Sequence, residues 1–158
     1  MLMLVQVLVF AIFLLNKNTC GNQPGLKENQ EWNKVAHLFH SINIQMRPVF
    51  REGNETAGEL VLKRMEEAHE GLRRFKIFLD QLDLKQYHRI LSVVKFILLR
   101  GAKQFDAIKY SSGDLKIKYF WEKEKVKEFR KWYKEIKHIV ADIREHAERR
   151  NVNLDDDR

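Results

Sequence analysis

Residues 90–99 read ILSVVKFILL: between Ile90 and Leu99 only Ser92 and Lys95 interrupt an apolar run. A helix with one apolar stripe lies at a surface, whereas one that is apolar on most sides needs covering on most sides. The run is too short to span a bilayer, which takes about 20 apolar residues. Other parts of this chain must therefore cover it. Extended to Tyr87–Ile108, the stretch places Tyr87, Leu91, Val94, Leu98, Gly101, Phe105 and Ile108 on one stripe. Gly101 falls on that seam, where a missing Cβ admits a neighbouring backbone or ring; a kink is the other reading.

Three further amphipathic helices flank it. The helix before it, Thr56 to Leu82, carries Val61, Met65, Ala68, Leu72, Phe75, Leu79 and Leu82 at heptad-type spacing without a miss. Asp83 with Gln86 forms a capping-box pattern, so the central helix starts almost at once; Thr56 with Glu59 offers the same pattern one helix earlier. The first helix, Glu28 to Met46, shows Trp32, Val35, Phe39, Ile42 and Met46 on one face and stops at Pro48. A turn at Ser111-Ser112-Gly113-Asp114, with Asp114 or Ser112 as N-cap, leads into a long last helix, Leu115 to Arg149. Its stripe is Val126, Phe129, Tyr133, Ile136, Val140, Ile143 and Ala147.

The connections set the topology. An eight-residue loop reaches about 28 Å, and a 25-residue helix is about 37 Å long. No connection can run back along a helix. The expected fold is all-α: a four-helix up-down-up-down antiparallel bundle with a long C-terminal helix, over residues 22–150. Four-helix cytokines need long crossovers, which this chain lacks. Scarce Gly (7) and Pro (2) argue against an all-β alternative.

Residues 1–21 read as a cleaved secretory signal peptide. Met1 to Leu15 holds a single polar residue, Gln6, and Thr19 and Gly21 supply small residues at −3 and −1 of a cleavage site. An uncleaved anchor is the rival, and the segment is short for one. Cleavage after Gly21 removes Cys20, the only cysteine, so no disulfide framework forms in the secreted chain. Residues 151–158 end in Asp155-Asp156-Asp157 and read as a disordered acidic tail. Asn54-Glu55-Thr56 is an N-glycosylation sequon in the longest loop.

Catalysis finds little footing: no Gly-x-Ser-x-Gly and no glycine-rich phosphate loop is present, and no cofactor is expected. The Glu66/His69 and Glu135/His138 pairs have the Glu-x-x-His spacing of di-iron bundles. The stripes put Glu66 beside the seam, His69 further out, and Glu135 and His138 on the outer face, so no metal site is expected. His37 and His40 read as two solvated histidines.

Charge is the main functional signal. The formal net charge is +7, and residues 116–137 hold nine Lys/Arg against four Glu. Lys123, Lys127, Arg130, Lys134 and Lys137 follow one flank of the last helix, with Trp121 and Trp132 as aromatic anchors. Such a face suits a polyanion or an anionic membrane surface, and an extracellular protein or a sulfated glycan is the expected partner. The bland alternative is a solvated face laced with Glu124–Lys127 and Glu128–Lys131 pairs. Leu38, Ile44, Val49, Phe50, Ile77, Phe78, Phe120, Trp121 and Trp132 lie off the stripes. They would cover the central helix, form a partner patch, or line a cavity for a lipid or other apolar ligand. A secreted, non-enzymatic binding protein is the expected class, a lipid carrier the alternative; nucleic acid is not an expected partner.

Overall fold

The computed structural model describes residues 26–46 and 55–154, and every regular element among them is helical. The expected signal peptide, the Asn54 sequon and Asp155–Asp157 lie outside the described residues. Helix α1 is Leu26–Met46 and α2 is Glu55–Gln81. A third, interrupted helix, α3, runs through Leu84–Arg89, Leu91–Lys95, the π-helical Phe96–Ala102 and Lys103–Asp106. Helix α4 is Ser112–Tyr119, and α5 is Lys123–Arg149.

The heptad stripes of α2 and α5 are the core. Val61, Met65, Ala68, Leu72, Phe75 and Leu79 on α2 are buried, as are Val126, Phe129, Ile136, Val140, Ile143 and Ala147 on α5. Among the described helices these two pack against each other most extensively. Helix α1 covers α2 through Trp32, whose ring lies 5.2 Å from Phe75 and 5.0 Å from Phe78. The same helix covers α3: Phe39 meets Phe105 at 5.2 Å, and the Asn43 side chain donates to the Gly101 carbonyl at 3.0 Å.

The central apolar run keeps the expected stripe, with Tyr87, Val94, Leu98, Gly101 and Phe105 buried and Leu91 and Ile108 packed at its edge, and buries a second row beside it. Its buried residues are Ile90, Val93, Val94, Ile97, Leu98, Gly101, Ala102 and Phe105. From Val93 on they recur every four residues, in two rows. In an α-helix such rows drift around the axis; the wider turn of i→i+5 bonding holds them on one side. The π-turn thereby feeds two rows of apolar side chains to α1 and α5 at once. Gly101 packs closely: a Cβ there would come within 2.5 Å of the Phe39 ring.

The ends of the helices refine the expected boundaries. Asp83 and Gln86 form the capping box, with Gln86 N–H donating to Asp83 Oδ1 at 2.7 Å. At α4 the N-cap is Ser111 instead of Ser112 or Asp114; Asp114 reciprocates as the third helical residue. Helix α2 already includes Glu55, so Thr56 is not its cap. Residues 151–154 are not a loose tail. Asn151 takes a left-handed conformation (φ 54°), its N–H donates to the Glu148 carbonyl and Val152 N–H to the Ala147 carbonyl. This closes α5 in a Schellman motif and lays Val152 and Leu154 against the core.

His146 is buried at this end, 5.4 Å from the Tyr87 ring, with Asp80 Oδ1 3.9 Å from Nε2. Burial and then Arg150 push its pKa below 6.5; Arg149 and Lys76 add to this and Asp80 opposes it. The folded state keeps the ring neutral, so the unfolded chain takes up a proton first as pH falls. Stability is therefore full above the unfolded pKa and declines as pH drops from it towards the lower folded value.

Two outcomes follow from this packing. Gly101→Ala overpacks the Phe39 contact and should cost about 1–3 kcal/mol in urea unfolding, whereas Gly113→Ala, on an open face of α4, should be neutral or gain up to about 1 kcal/mol. Between about pH 7.5 and about pH 5.5 the urea midpoint should fall, and His146→Gln should flatten that slope. An unchanged slope would mean that His146 is not the sensing group.

Candidate anion-binding face

The expected last helix is broken. After Tyr119 the chain turns through Phe120 (φ 54°, ψ 34°), and α5 begins after Glu122. The cause is three successive aromatic residues, which cannot share one helical stripe. Tyr119 and Trp121 both enter the core, with rings 4.8 Å apart, and Trp121 reaches Phe129 at 5.6 Å. They fill the space that Gly58 of α2 leaves open: a Cβ there would overlap the Trp121 indole and lie 2.8 Å from Tyr119 Cβ. Tyr119 adds a contact from its hydroxyl to Met46 Sδ at 3.4 Å. Burial pushes the Tyr119 hydroxyl pKa well up, with the nearby Tyr110 a smaller cause. Phe120, between them, faces solvent. A left-handed conformation costs a bulky residue about 1–2 kcal/mol.

This corner folds α4 back onto α5. Lys116 and Ser112 of α4 then face Lys123, Lys127 and Arg130 of α5 across an open cleft of about 590 Å³, with Val126 in its wall. Arg130 is held in place by an N–H donated to the Tyr110 carbonyl. Lys134 continues the stripe one turn further and is exposed. Among the described residues, no ion pair engages Lys116, Lys123, Lys127 or Lys134. The expected Glu124–Lys127 and Glu128–Lys131 pairs are absent from the described ion pairs, so the laced-face alternative loses those two contacts.

The other expected site residues are placed differently. Trp121 is 2% exposed and is a core residue, not a surface anchor. Trp132 is half-buried: its indole packs against His69 at 4.9 Å with the rings tilted by 46°, and Lys131 Nζ sits 4.5 Å over it. Lys137 pairs with Asp106 of α3 at 3.0 Å, which raises its pKa. Lys125 turns to Glu59 at 3.2 Å, and Lys118 donates to the Tyr110 hydroxyl at 3.3 Å. Lys116 is the member that the helical stripe missed. It joins only because the chain bends at Phe120, though the aromatic triplet 119–121 signals that bend.

The Glu-x-x-His pairs split. Glu66 and His138 are exposed, while His69 Nε2 and Glu135 Oε2 meet at 3.1 Å across α2 and α5. Glu135 therefore lies at the helix boundary instead of the outer face. His37 and His40 both pack against the Phe96 ring, at 5.1 and 5.6 Å. Among the described residues no three His, Cys, Asp or Glu side chains converge, and no helix is long and apolar enough to cross a membrane. A second cleft, about 260 Å³ between α3 and α5, has Phe105 and Val140 in its wall and Lys137, Arg144 and Glu145 at its rim. No protein-family model, curated protein or solved structure matches the chain.

The face can gather and hold negative charge. Several cations fixed beside one another raise the local potential and favour a ligand with repeated anionic groups. Phe120→Gly removes the left-handed penalty without touching the core and should raise the unfolding free energy by about 1 kcal/mol. An unchanged or lower stability would show that the Phe120 ring contributes packing energy of its own.

Proposed function

We propose that this chain is a secreted, non-enzymatic four-helix bundle that binds a sulfated glycan through the α4–α5 face. The carrying observation is the convergence of Lys116, Lys123, Lys127 and Arg130 on one cleft with no acidic partner among the described residues. Lys134 extends the face along α5. A sulfated chain presents fixed anions at regular intervals to such a row, and an acidic patch on an extracellular protein is the other fitting occupant.

The up-down-up-down topology belongs to the same reading. It is supported by the pairing of Trp32 with Phe75, of His69 with Glu135, of Tyr87 with His146, and of Lys137 with Asp106. In this reading α2 and α3, joined by two residues and each flanked by α1 and α5, lie diagonally across the bundle. The apolar 1–15 segment supports export, a cleaved leader of residues 1–21 and glycosylation at Asn54.

Heparin affinity tests the reading. The logarithm of the binding constant should fall linearly with the logarithm of salt concentration, as bound counterions are released. Lys127→Glu, Arg130→Glu and Lys134→Glu together should weaken binding about tenfold or more. Reversal of Lys63, Lys85 and Arg89, exposed elsewhere, leaves the same net charge and should change it far less. Equal loss in both triple variants would reduce the effect to net charge and sink the site.

A further inference from the structure

We infer that the α4–α5 corner also docks the protein onto an anionic lipid surface, with Ile117 and Phe120 entering the interface and the cleft lysines meeting the headgroups. The inference rests on the α4–α5 face being an anion-binding surface and adds a second kind of contact to it. Ile117 is 79% exposed and Phe120 68%, the two most exposed large apolar residues of the described chain. Scattered exposed apolar residues are ordinary. These two are not scattered: Gly113, Lys116 and Ile117 lie on the exposed side of α4, opposite the buried Leu115 and Tyr119, and the exposed Phe120 follows as its C-cap.

The backbone holds this arrangement rigidly. Phe120 occupies a left-handed conformation that Gly or Asn adopts far more readily. Its neighbours on both sides, Tyr119 and Trp121, are locked in the core against Gly58. The ring therefore cannot turn inward, and it projects from the corner into solvent. Lys116 and Lys123 flank it in sequence, and both line the cleft together with Lys127 and Arg130. An apolar tip with a collar of cations is the composition of helices that lie in the headgroup region. Lysine stems add apolar length below their charges. A glycan has anions for the collar but no apolar phase for the tip. An anionic bilayer has both.

The test is flotation of the protein, recovered from a secreting host, with vesicles of phosphatidylcholine alone and of phosphatidylcholine with phosphatidylserine. Heparin affinity is measured in parallel. The expected result is binding to the mixed vesicles only. Ile117→Ser with Phe120→Asn should cut that binding about tenfold or more, since each apolar side chain entering the interface contributes separately, and should leave heparin affinity intact. Asn suits the left-handed position, so this variant keeps its fold, checked by a melting temperature no lower than that of the unsubstituted protein. Vesicle binding unchanged in the variant would overturn the inference by reducing it to surface charge. No vesicle binding with heparin binding intact would overturn it too, leave the proposed function standing and turn the apolar tip towards a protein partner. Loss of both would sink the inference together with the reading beneath it.

Discussion

The contact on which this face depends is that of Trp121 with Gly58. Two residues separate Tyr119 at the end of α4 from the N-cap of α5, so the chain must reverse within a very short span. It does so because α2 offers a position without a Cβ, into which one aromatic ring on each side of the turn descends. A side chain at Gly58 would force both rings, and with them the two helices, away from α2. The left-handed Phe120 is the conformational cost of that descent. The same in-out-in alternation of Tyr119, Phe120 and Trp121 gives the corner its exposed ring and gives α5 its starting phase. Charge on α5 and charge on α4 face one cleft only because this corner is fixed.

Much of the core was legible in the spacing of residues, and the exceptions have physical reasons. On α2 and α5 the heptad stripe named the buried face almost without error, because a long helix packed on one side has a single period to follow. On α3 the spacing named one row of the buried surface and left out the second, Ile90, Val93, Ile97 and Ala102. An apolar run fits several stripes, and burying two of them together goes with a π-turn that no local propensity announces. Gly101 marked the place, as the close approach of Phe39 confirms. The break at Phe120 was hidden by a pattern, Leu115, Tyr119, Val126, that a continuous helix also satisfies. Residues 151–154 depart from a loose tail because the Schellman closure folds Val152 onto the core, which the acidic composition of this end does not announce.

The charged face shows where counting falls short. Nine Lys and Arg in residues 116–137 suggest a uniform basic helix. In the folded chain Lys118, Lys125 and Lys137 are drawn off to Tyr110, Glu59 and Asp106. Lys131 is drawn to the Trp132 ring. What remains is smaller and better defined than the sequence stripe, and it includes Lys116 from a different helix. Surface ion pairs of this kind contribute little stability, about 0–1 kcal/mol each. Their effect here is to decide which cations stay available.

The most direct test of the account is an NMR titration of the isotopically labelled protein with a sulfated oligosaccharide. The cleft predicts that the largest shift changes fall within residues 112–134, with Lys116 on α4 moving together with Lys123, Lys127 and Arg130 on α5. Changes spread over Lys63, Lys85 and Arg89 as strongly as over the cleft would contradict it, as would movement along α5 that leaves Lys116 unmoved.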